Sequence, residues 1–412
     1  MRRRGAVSAL TAVFRPSKLR VMDPMRLYLL FDPACAEGPA WLTMLDRAFS
    51  SLGMQRDDRL FGIPVQQRSV PWGDDQLDLP GRSHPRRIDL SQASCNCLIV
   101  LVDAVMQGIR PAQWAEYVAS IQRQMVARPG KDIVVPVLLQ DQVPAFAEHK
   151  NVMRPRTANL PADARARTRF FVQLLNALLV HRHTRGDSDV HMPGHGIFVS
   201  HAKRDGEDTA RRIVEVIADV NQSLGPRCFF DKASLLPGDD YPKRFENAIA
   251  RGSLLVVVTD AYHTRPWCRW EVLTAKRLGR PVVAADLTVG RIERTYPYLG
   301  NVPSLRVTMP SEPDAPIPET AVEQLTAALL AEALRDELWR ELAGTGLQGR
   351  LVHLLPRPPE LADVSELVAR YTGKPMPALV YPDPPLGNEE MELLQRAFPS
   401  VSMLSLTQAE SL

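Results

Sequence analysis

A carboxylate and an indole stand four residues apart within residues 252–278, GSLLVVVTDAYHTRPWCRWEVLTAKRL. An apolar run at 254–258 precedes a polar loop and then a helical pattern from Trp267, which predicts a buried parallel strand feeding a helix. Residues i and i+4 share one helix face, so Trp267 and Glu271 can line one wall of a cleft. Such a pair suits a substrate with a ring and a developing positive charge, because a carboxylate stabilises the charge and an indole offers a flat apolar wall.

Length and composition bound the class of protein. At roughly 150 residues per domain, 412 residues predict two or three domains, and 45% hydrophobic residues allow packed cores. A net charge of +3 with interspersed signs does not demand a nucleic-acid partner. Five cysteines without CxxC spacing indicate reduced thiols in a cytoplasmic protein, with Cys95 and Cys97 on one face of a strand as core residues.

Two polar or basic segments are predicted to lie outside the folded domains. Residues 1–24 are expected to be a disordered extension, or to follow a start codon placed too early, with Met22 or Met25 as the true start. Residues 181–195, HRHTRGDSDVHMPGH, are expected to be a solvated linker rather than a metal site. Apolar runs stay short of the roughly 18 residues that a membrane span needs, so no membrane association is expected.

Strand and helix patterns alternate along most of the chain, which predicts an α/β protein with doubly wound parallel sheets. Residues 25–180 and 196–345 share one order of elements and are interpreted as an internal duplication. Residues 346–412 alternate again and are expected to form a small α/β tail of unknown role.

The two copies differ where chemistry would lie. In the first copy Val118 stands four residues beyond Trp114, and the nearest acid, Glu116, follows at i+2. An i, i+2 pair does not share a helix face, so this copy is predicted to be structural or regulatory.

Four blocks of the second copy occur in a recognisable order: GIFVSHAKRD at 196–205, CFFDKASLLPG at 228–238, FENAI at 245–249 and WCRWE at 267–271. Together they resemble a Toll/interleukin-1 receptor (TIR) domain over residues 196–345. The resemblance implies a flavodoxin-like parallel sheet, and the first copy is similar in outline to a degenerate TIR domain. Bacterial and plant TIR domains of this kind are typically NAD⁺-cleaving enzymes that act in immunity against phage or other pathogens.

The resemblance also implies roles for individual residues. Glu271 matches the catalytic glutamate of a W-x-x-x-E pattern, and Trp267 matches its pocket tryptophan. Phe198 and Ser200 match the end of the first strand, which lines the nicotinamide and ribose side. The stretch from Asp231 to Gly238 matches the BB loop, which in this family reaches a neighbouring subunit and completes its site.

The expected activity is an NAD⁺ glycohydrolase or cyclase in the cytoplasm, with NAD⁺ as substrate and neither a cofactor nor a metal. Homo-oligomers or TIR–TIR assemblies through the BB loop are the expected partners, without nucleic acid. A scaffold that joins TIR domains without catalysis is the alternative hypothesis. A third is that the first copy or the tail senses a nucleotide and drives filament formation.

Three polar residues near the predicted site are given modest roles. Asp205 is expected to cap the helix that follows the first strand of the second copy. His201 and His263 could each act as a general base, but a satisfied surface histidine is favoured for both.

Overall fold

The computed structural model describes residues 22–50, 52, 54–56, 59–61, 63–69, 85–108, 111–140, 153–154, 160–183, 195–220, 227–229, 241–290, 295–312 and 315–411. These residues form an α/β protein with three parallel sheets and one small hairpin. The strands are β1 Arg26–Leu30, β2 Met54–Arg56, β3 Arg59–Phe61, β4 Val65–Arg68, β5 Asn96–Val102, β6 Asp132–Leu138, β7 Gly196–His201, β8 Arg227–Phe229, β9 Gly252–Val258, β10 Val282–Asp286, β11 Ser304–Arg306, β12 Val352–Leu354, β13 Ala378–Tyr381 and β14 Met403–Ser405. The helices are α1 Gly38–Ser50, α2 Ala104–Gly108, α3 Pro111–Val126, α4 Ala164–His183, α5 Glu207–Val220, α6 Tyr241–Ala250, α7 Pro266–Arg277, α8 Glu319–Gly346, α9 Leu361–Arg370, α10 Asn388–Ala397 and α11 Leu406–Ser411.

The five-stranded sheet has the order β11-β10-β9-β7-β8, which is the flavodoxin-like order 2-1-3-4-5 read from its other edge. Its central strand β9 is buried at all seven positions because helices cover both faces. Leu255 and Val257 pack into one core cluster, whereas Leu254, Val256 and Val258 pack into another on the opposite face. The unbroken Leu/Val run of the sequence therefore reflects burial on both sides.

The four-stranded sheet repeats this arrangement with the order β4-β1-β5-β6. Its second strand in sequence, β4, lies in the polar, Pro/Gly-rich stretch 57–87, where no apolar pattern indicates a strand. Strand β4 is an edge strand that pairs only with β1 among the described strands, and three of its four residues are half-buried. An edge position tolerates the two glutamines of VQQR, so the strand carries little apolar signal.

Helices α4 and α8, the last helix of each repeat, pack against each other and join the two sheets. A single core cluster runs from Leu27 of β1 through Leu178 of α4 to Leu329 of α8. Charged pairs flank this contact: Arg182 reaches Glu337 at 3.0 Å and Glu341 at 2.5 Å. The two α/β units thus share one apolar interior.

The tail forms a three-stranded parallel sheet in the order β12-β13-β14. The Trp339 Nε1 of α8 donates a hydrogen bond to the Leu355 carbonyl at 2.8 Å, just after β12. Lys276 of α7 pairs with Glu360, the residue before α9, at 2.6 Å. The tail therefore contacts both the last helix of the second repeat and the helix that carries Glu271.

Both ends of the segment predicted as a solvated linker, 181–195, are ordered. Helix α4 continues to His183, and His195 is buried. The His195 backbone N–H donates to Asn176 Oδ1 at 3.0 Å, and its ring Nε2 lies 2.7 Å from Ser253 Oγ. His195 therefore ties α4 to β9, and residues 184–194 between these ends lie outside the described residues.

Candidate active site

Helix α7 presents Glu271, and the sequence defines both ends of this helix. Pro266 occupies its first turn, where the missing N–H costs no hydrogen bond. Gly279 ends it in the left-handed region with φ +60°. The Gly279 N–H donates to the Lys276 carbonyl and the Arg280 N–H to the Ala275 carbonyl, each at 2.8 Å. These two bonds form the Schellman arrangement typical of a glycine-terminated helix.

A cavity of about 570 Å³ lies between the carboxyl end of β7 and the first two turns of α7. This is the edge at which open parallel sheets bind ligands. Glu271 and Trp267 both line it, as their i, i+4 spacing predicts. The full lining comprises Phe198, Val199, His201, Ala202, Lys203, Arg204, Phe245, Arg265, Pro266, Trp267, Cys268 and Glu271.

The Glu271 side chain is enclosed, since the residue is 9% exposed. Its Oε2 accepts a hydrogen bond of 2.5 Å from Ser200 Oγ. The same Ser200 Oγ lies 2.7 Å from the Tyr262 hydroxyl. Ser200 is itself buried and does not line the cavity, so its hydroxyl is available to bond to the Glu271 carboxylate. The site thus presents an acid whose carboxylate is oriented by a neighbouring hydroxyl.

Aromatic rings form the apolar part of the cavity. Phe198 and Phe245 meet edge to face with their centroids 5.5 Å apart, and Trp267 lies 6.4 Å from Phe245. Trp267 is 54% exposed and also contacts Trp270 edge to face at 5.4 Å. A flat indole that is half open to solvent can accept a planar ring from outside.

Three cationic residues line the same cavity: Lys203 and Arg204 after β7, and Arg265 before α7. The Arg265 Nε is buried without a hydrogen-bond partner among the described residues. The sequence analysis assigned no role to any of these three cations. Their position next to the carboxyl end of a parallel strand is the signal that could have found the first two.

Cys268 also lines the cavity, but its thiol is not ionised at neutral pH. Burial, and then the nearby charge of Glu271, raise the pKa of the Cys268 thiol to about 12. A thiol with so high a pKa stays protonated at neutral pH and is a poor nucleophile. Among the described residues there is also no group of histidine, cysteine and acidic side chains suited to a metal ion.

Two modest roles expected from the sequence are wrong. Asp205 does not cap the following helix; its Oδ1 accepts from Thr259 Oγ1 at 2.7 Å and its Oδ2 from the Ala261 N–H at 2.8 Å. Asp205 therefore fastens the loop after β9 to the end of β7. His201 and His263 are both buried rather than on the surface.

Of the two histidines, only His201 lines the cavity. The His263 Nδ1 accepts a hydrogen bond from the Tyr296 N–H at 3.0 Å, and burial lowers the pKa of His263. A neutral imidazole that accepts a backbone hydrogen bond has a structural role here. The BB-loop residues Asp231 and Gly238 lie outside the described residues, so their expected role stays a prediction.

Trp114 of the first repeat has a different environment from Trp267. This indole is buried, and its Nε1 donates to the buried Asp32 Oδ2 at 2.9 Å. Glu116 is exposed on another face of α3, as its i+2 spacing predicts. The tryptophan of the first repeat is therefore a core residue, whereas Trp267 of the second stands at a cavity mouth.

The second repeat is thus a flavodoxin-like α/β domain with an acid and an indole at the carboxyl edge of its sheet. Lys203, Arg204 and Arg265 line the same cavity and form its basic rim. Residues 197–317 match the family model of the TIR domain, so the second repeat carries a TIR domain. A search of curated proteins gave no match to the chain. No described helix has both the length and the apolar character required to cross a membrane.

Proposed function

We propose that the second repeat cleaves the nicotinamide–ribose bond of NAD⁺, with Glu271 as the catalytic residue. The observation that carries this proposal is the Glu271 carboxylate, held by Ser200 in the wall of a cavity of about 570 Å³ that Trp267 borders. Pockets for small ligands are typically about 300–1,000 Å³, so the size suits part of a dinucleotide.

The residue types match the chemistry of this bond. When the glycosidic bond of NAD⁺ breaks, both electrons leave with nicotinamide, which becomes neutral while positive charge develops on the ribose. A carboxylate beside the ribose stabilises this oxocarbenium-like state. The leaving group is already cationic in the substrate and needs no proton, which explains how Glu271 can act without a second acid. Water, or a second nucleophile of the same molecule, then attacks the ribose and loses a proton.

The basic rim adds support for an anionic dinucleotide. Lys203, Arg204 and Arg265 line the cavity together with Glu271. Guanidinium groups suit diphosphate oxygens because they offer a planar set of donors. In this proposal the rings of Phe198 and Trp267 contact nicotinamide, while the cations hold the diphosphate.

The resemblance to bacterial TIR proteins extends the proposal to an effector of anti-phage immunity that acts in the cytoplasm. TIR–TIR assembly through the BB loop would then complete neighbouring sites. The first repeat, with Trp114 buried against Asp32, would hold protomers in position rather than react.

A non-catalytic scaffold is the second candidate function, and the exposed indole of Trp267 favours it. An apolar ring that is 54% exposed can serve as a contact for another TIR domain as well as for a substrate ring.

Incubation of the purified full chain with NAD⁺ at high protein concentration separates the two candidates. The enzyme predicts nicotinamide and linear or cyclic ADP-ribose by mass spectrometry. Intact NAD⁺, with capture of a TIR-domain partner that Trp267→Ala abolishes, would favour the scaffold and contradict the enzyme.

A further inference from the structure

Three buried side chains from three separate elements form a hydrogen-bonded chain that ends on Glu271. The Tyr262 hydroxyl, in the turn after β9, lies 2.7 Å from Ser200 Oγ of β7. Ser200 Oγ in turn lies 2.5 Å from Glu271 Oε2 of α7. Tyr262 is 0% and Ser200 1% exposed, so water does not compete for these groups.

The direction of the chain follows from the number of protons. An ionised carboxylate only accepts hydrogen bonds, so the single proton of Ser200 must go to Glu271. Ser200 Oγ can then bond to Tyr262 only as an acceptor, and the phenol must donate. The Cys268 carbonyl is the other acceptor near the phenol, at the longer distance of 3.4 Å.

We propose that Tyr262 is a positioning residue for the reaction of Glu271 and that it acts through Ser200. The phenol orients the Ser200 hydroxyl toward the carboxylate, and the hydroxyl holds the carboxylate in one rotamer and favours its ionised state. This inference rests on the proposed function and changes the role expected for Ser200. Its hydroxyl bonds to the catalytic acid instead of lining the nicotinamide side.

The phenol is suited to be a permanent donor. Burial, and then the charge of Glu271, raise the pKa of Tyr262 well above its usual value. Tyr262 therefore keeps its proton throughout the pH range in which a carboxyl group titrates. A chain of donors that ends on a charge strengthens each bond within it.

Other charged or titratable groups line the cavity that Glu271 also lines. They are His201, Lys203 and Arg204 after β7, with Arg265 and Cys268 at the start of α7. A test of the chain must keep all of these in place. Tyr262→Phe does so, because it removes one oxygen atom from a buried ring.

Tyr296→Phe is the matched control. Tyr296 belongs to the same core cluster as Tyr262, and its hydroxyl is buried without a hydrogen-bond partner among the described residues. Both substitutions delete one phenolic oxygen from one core, but only Tyr262 is linked to Glu271. A difference between the variants therefore reports the hydrogen-bonded chain rather than packing.

The experiment is the pH dependence of kcat and KM for NAD⁺ in the full chain, measured for the wild type, Tyr262→Phe, Ser200→Ala and Tyr296→Phe. For Tyr262→Phe and Ser200→Ala we expect kcat to fall about tenfold at neutral pH with KM little changed. Their acid limb should move up by about one pH unit, because the ionised carboxylate has lost a donor. Tyr296→Phe should keep the wild-type profile.

An unshifted acid limb in Tyr262→Phe, or an equal shift in Tyr296→Phe, overturns the proposal. Titration of ¹³C-labelled glutamate by NMR gives a second readout that needs no activity. The Glu271 resonance should titrate at higher pH in Tyr262→Phe and should not move in Tyr296→Phe. If the wild type leaves NAD⁺ intact, the proposed function fails, and this titration still decides whether the chain acts on the carboxylate.

Discussion

At the scale of residues, Glu271 lies between two kinds of neighbour. The Ser200 hydroxyl holds one carboxylate oxygen from the protein side, and the cavity with Trp267 at its mouth lies on the other. An enclosed carboxylate of this kind interacts strongly with a cationic centre because little water screens the charge. In the proposed reaction, orientation by a buried hydroxyl would also remove the need to reorganise the acid.

Trp267→Ala tests the ring-binding role of the indole. We expect kcat/KM for NAD⁺ to fall about tenfold or more, mainly through KM, since an aromatic contact with a planar ring is lost. Trp267→Phe should recover much of the loss. Steady-state kinetics checks this, and Trp270→Ala is the control, because Trp270 packs against Trp267 without lining the cavity. Equal losses in both alanine variants would contradict a direct role.

Some residues of the candidate active site could be predicted from the sequence, and others could not. Glu271 and Trp267 could be predicted to share a wall, because helix geometry relates i to i+4. Arg265 and Tyr262 could not, because their positions depend on the path of a short loop after β9. The burial of His201 and His263 was missed because a histidine at a strand end or in a turn is usually solvated, and only the packed fold encloses these two.

At the scale of elements, α7 is fastened to the tail by a buried ion pair. The side chain of Lys276 is 2% exposed, and its Nζ lies 2.6 Å from Glu360 Oε1. Arg357 pairs with Asp363 at 3.1 Å in the same region, so two cations meet two acids. Breaking a buried pair leaves an uncompensated charge, which is more costly than loss of an exposed pair.

Glu360→Gln is therefore expected to lower the free energy of unfolding by roughly 3 kcal/mol. The residual charge of Lys276 stays buried beside a neutral amide, and α7 loses its ion pair with Glu360. Chemical denaturation followed by circular dichroism measures the change.

Glu392→Gln is the matched control, because Glu392 pairs with Arg396 on α10 while both side chains are mostly exposed. This variant should cost at most about 0.5 kcal/mol. A similar small cost for Glu360→Gln would show that the tail does not brace α7.

The long elements could be predicted because their apolar periodicity is strong. The apolar run CLIVLV at 97–102 lies within strand Asn96–Val102, and the Ala/Leu/Glu-rich stretch 320–342 lies within helix Glu319–Gly346. Strand β4 could not be, because an edge strand of mixed polarity looks like a loop. The contact between the tail and α7 could not be predicted either, because the ion pair between Lys276 and Glu360 depends on tertiary structure.

At the scale of the whole molecule, the repeats are joined through α4 and α8 and by His195. Burial, and then the nearby His183, lower the pKa of His195 to about 4 from 6.5. The unfolded chain therefore binds the proton more readily than the folded chain between these values. Stability from neutral His195 is fully present above pH 6.5 and is lost as the pH falls toward 4.

We expect this loss to approach about 3 kcal/mol in the free energy of unfolding between pH 6.5 and 4. His195→Gln cannot titrate, so the difference between wild type and variant should shrink by that amount on acidification. Denaturation curves across this pH range measure it. A constant difference between the two proteins would show that His195 does not stay neutral in the fold.

The two parallel sheets could be predicted from the sequence, because strand and helix patterns alternate in both halves of the chain. Their common core could not, since helix faces show that a partner exists without saying which helix it is. Leu178 of α4 and Leu329 of α8 lie far apart in the chain yet belong to one cluster.

The most direct test of the account is release of nicotinamide from NAD⁺ by the wild type, Glu271→Gln and Glu246→Gln. Glu246 is a half-buried helix acid that pairs with Arg277 at 3.0 Å and does not line the cavity, so it controls for the loss of one carboxylate. We predict that Glu271→Gln abolishes release at unchanged folding, while Glu246→Gln stays close to the wild type. Undiminished release from Glu271→Gln would contradict the assignment of the catalytic acid.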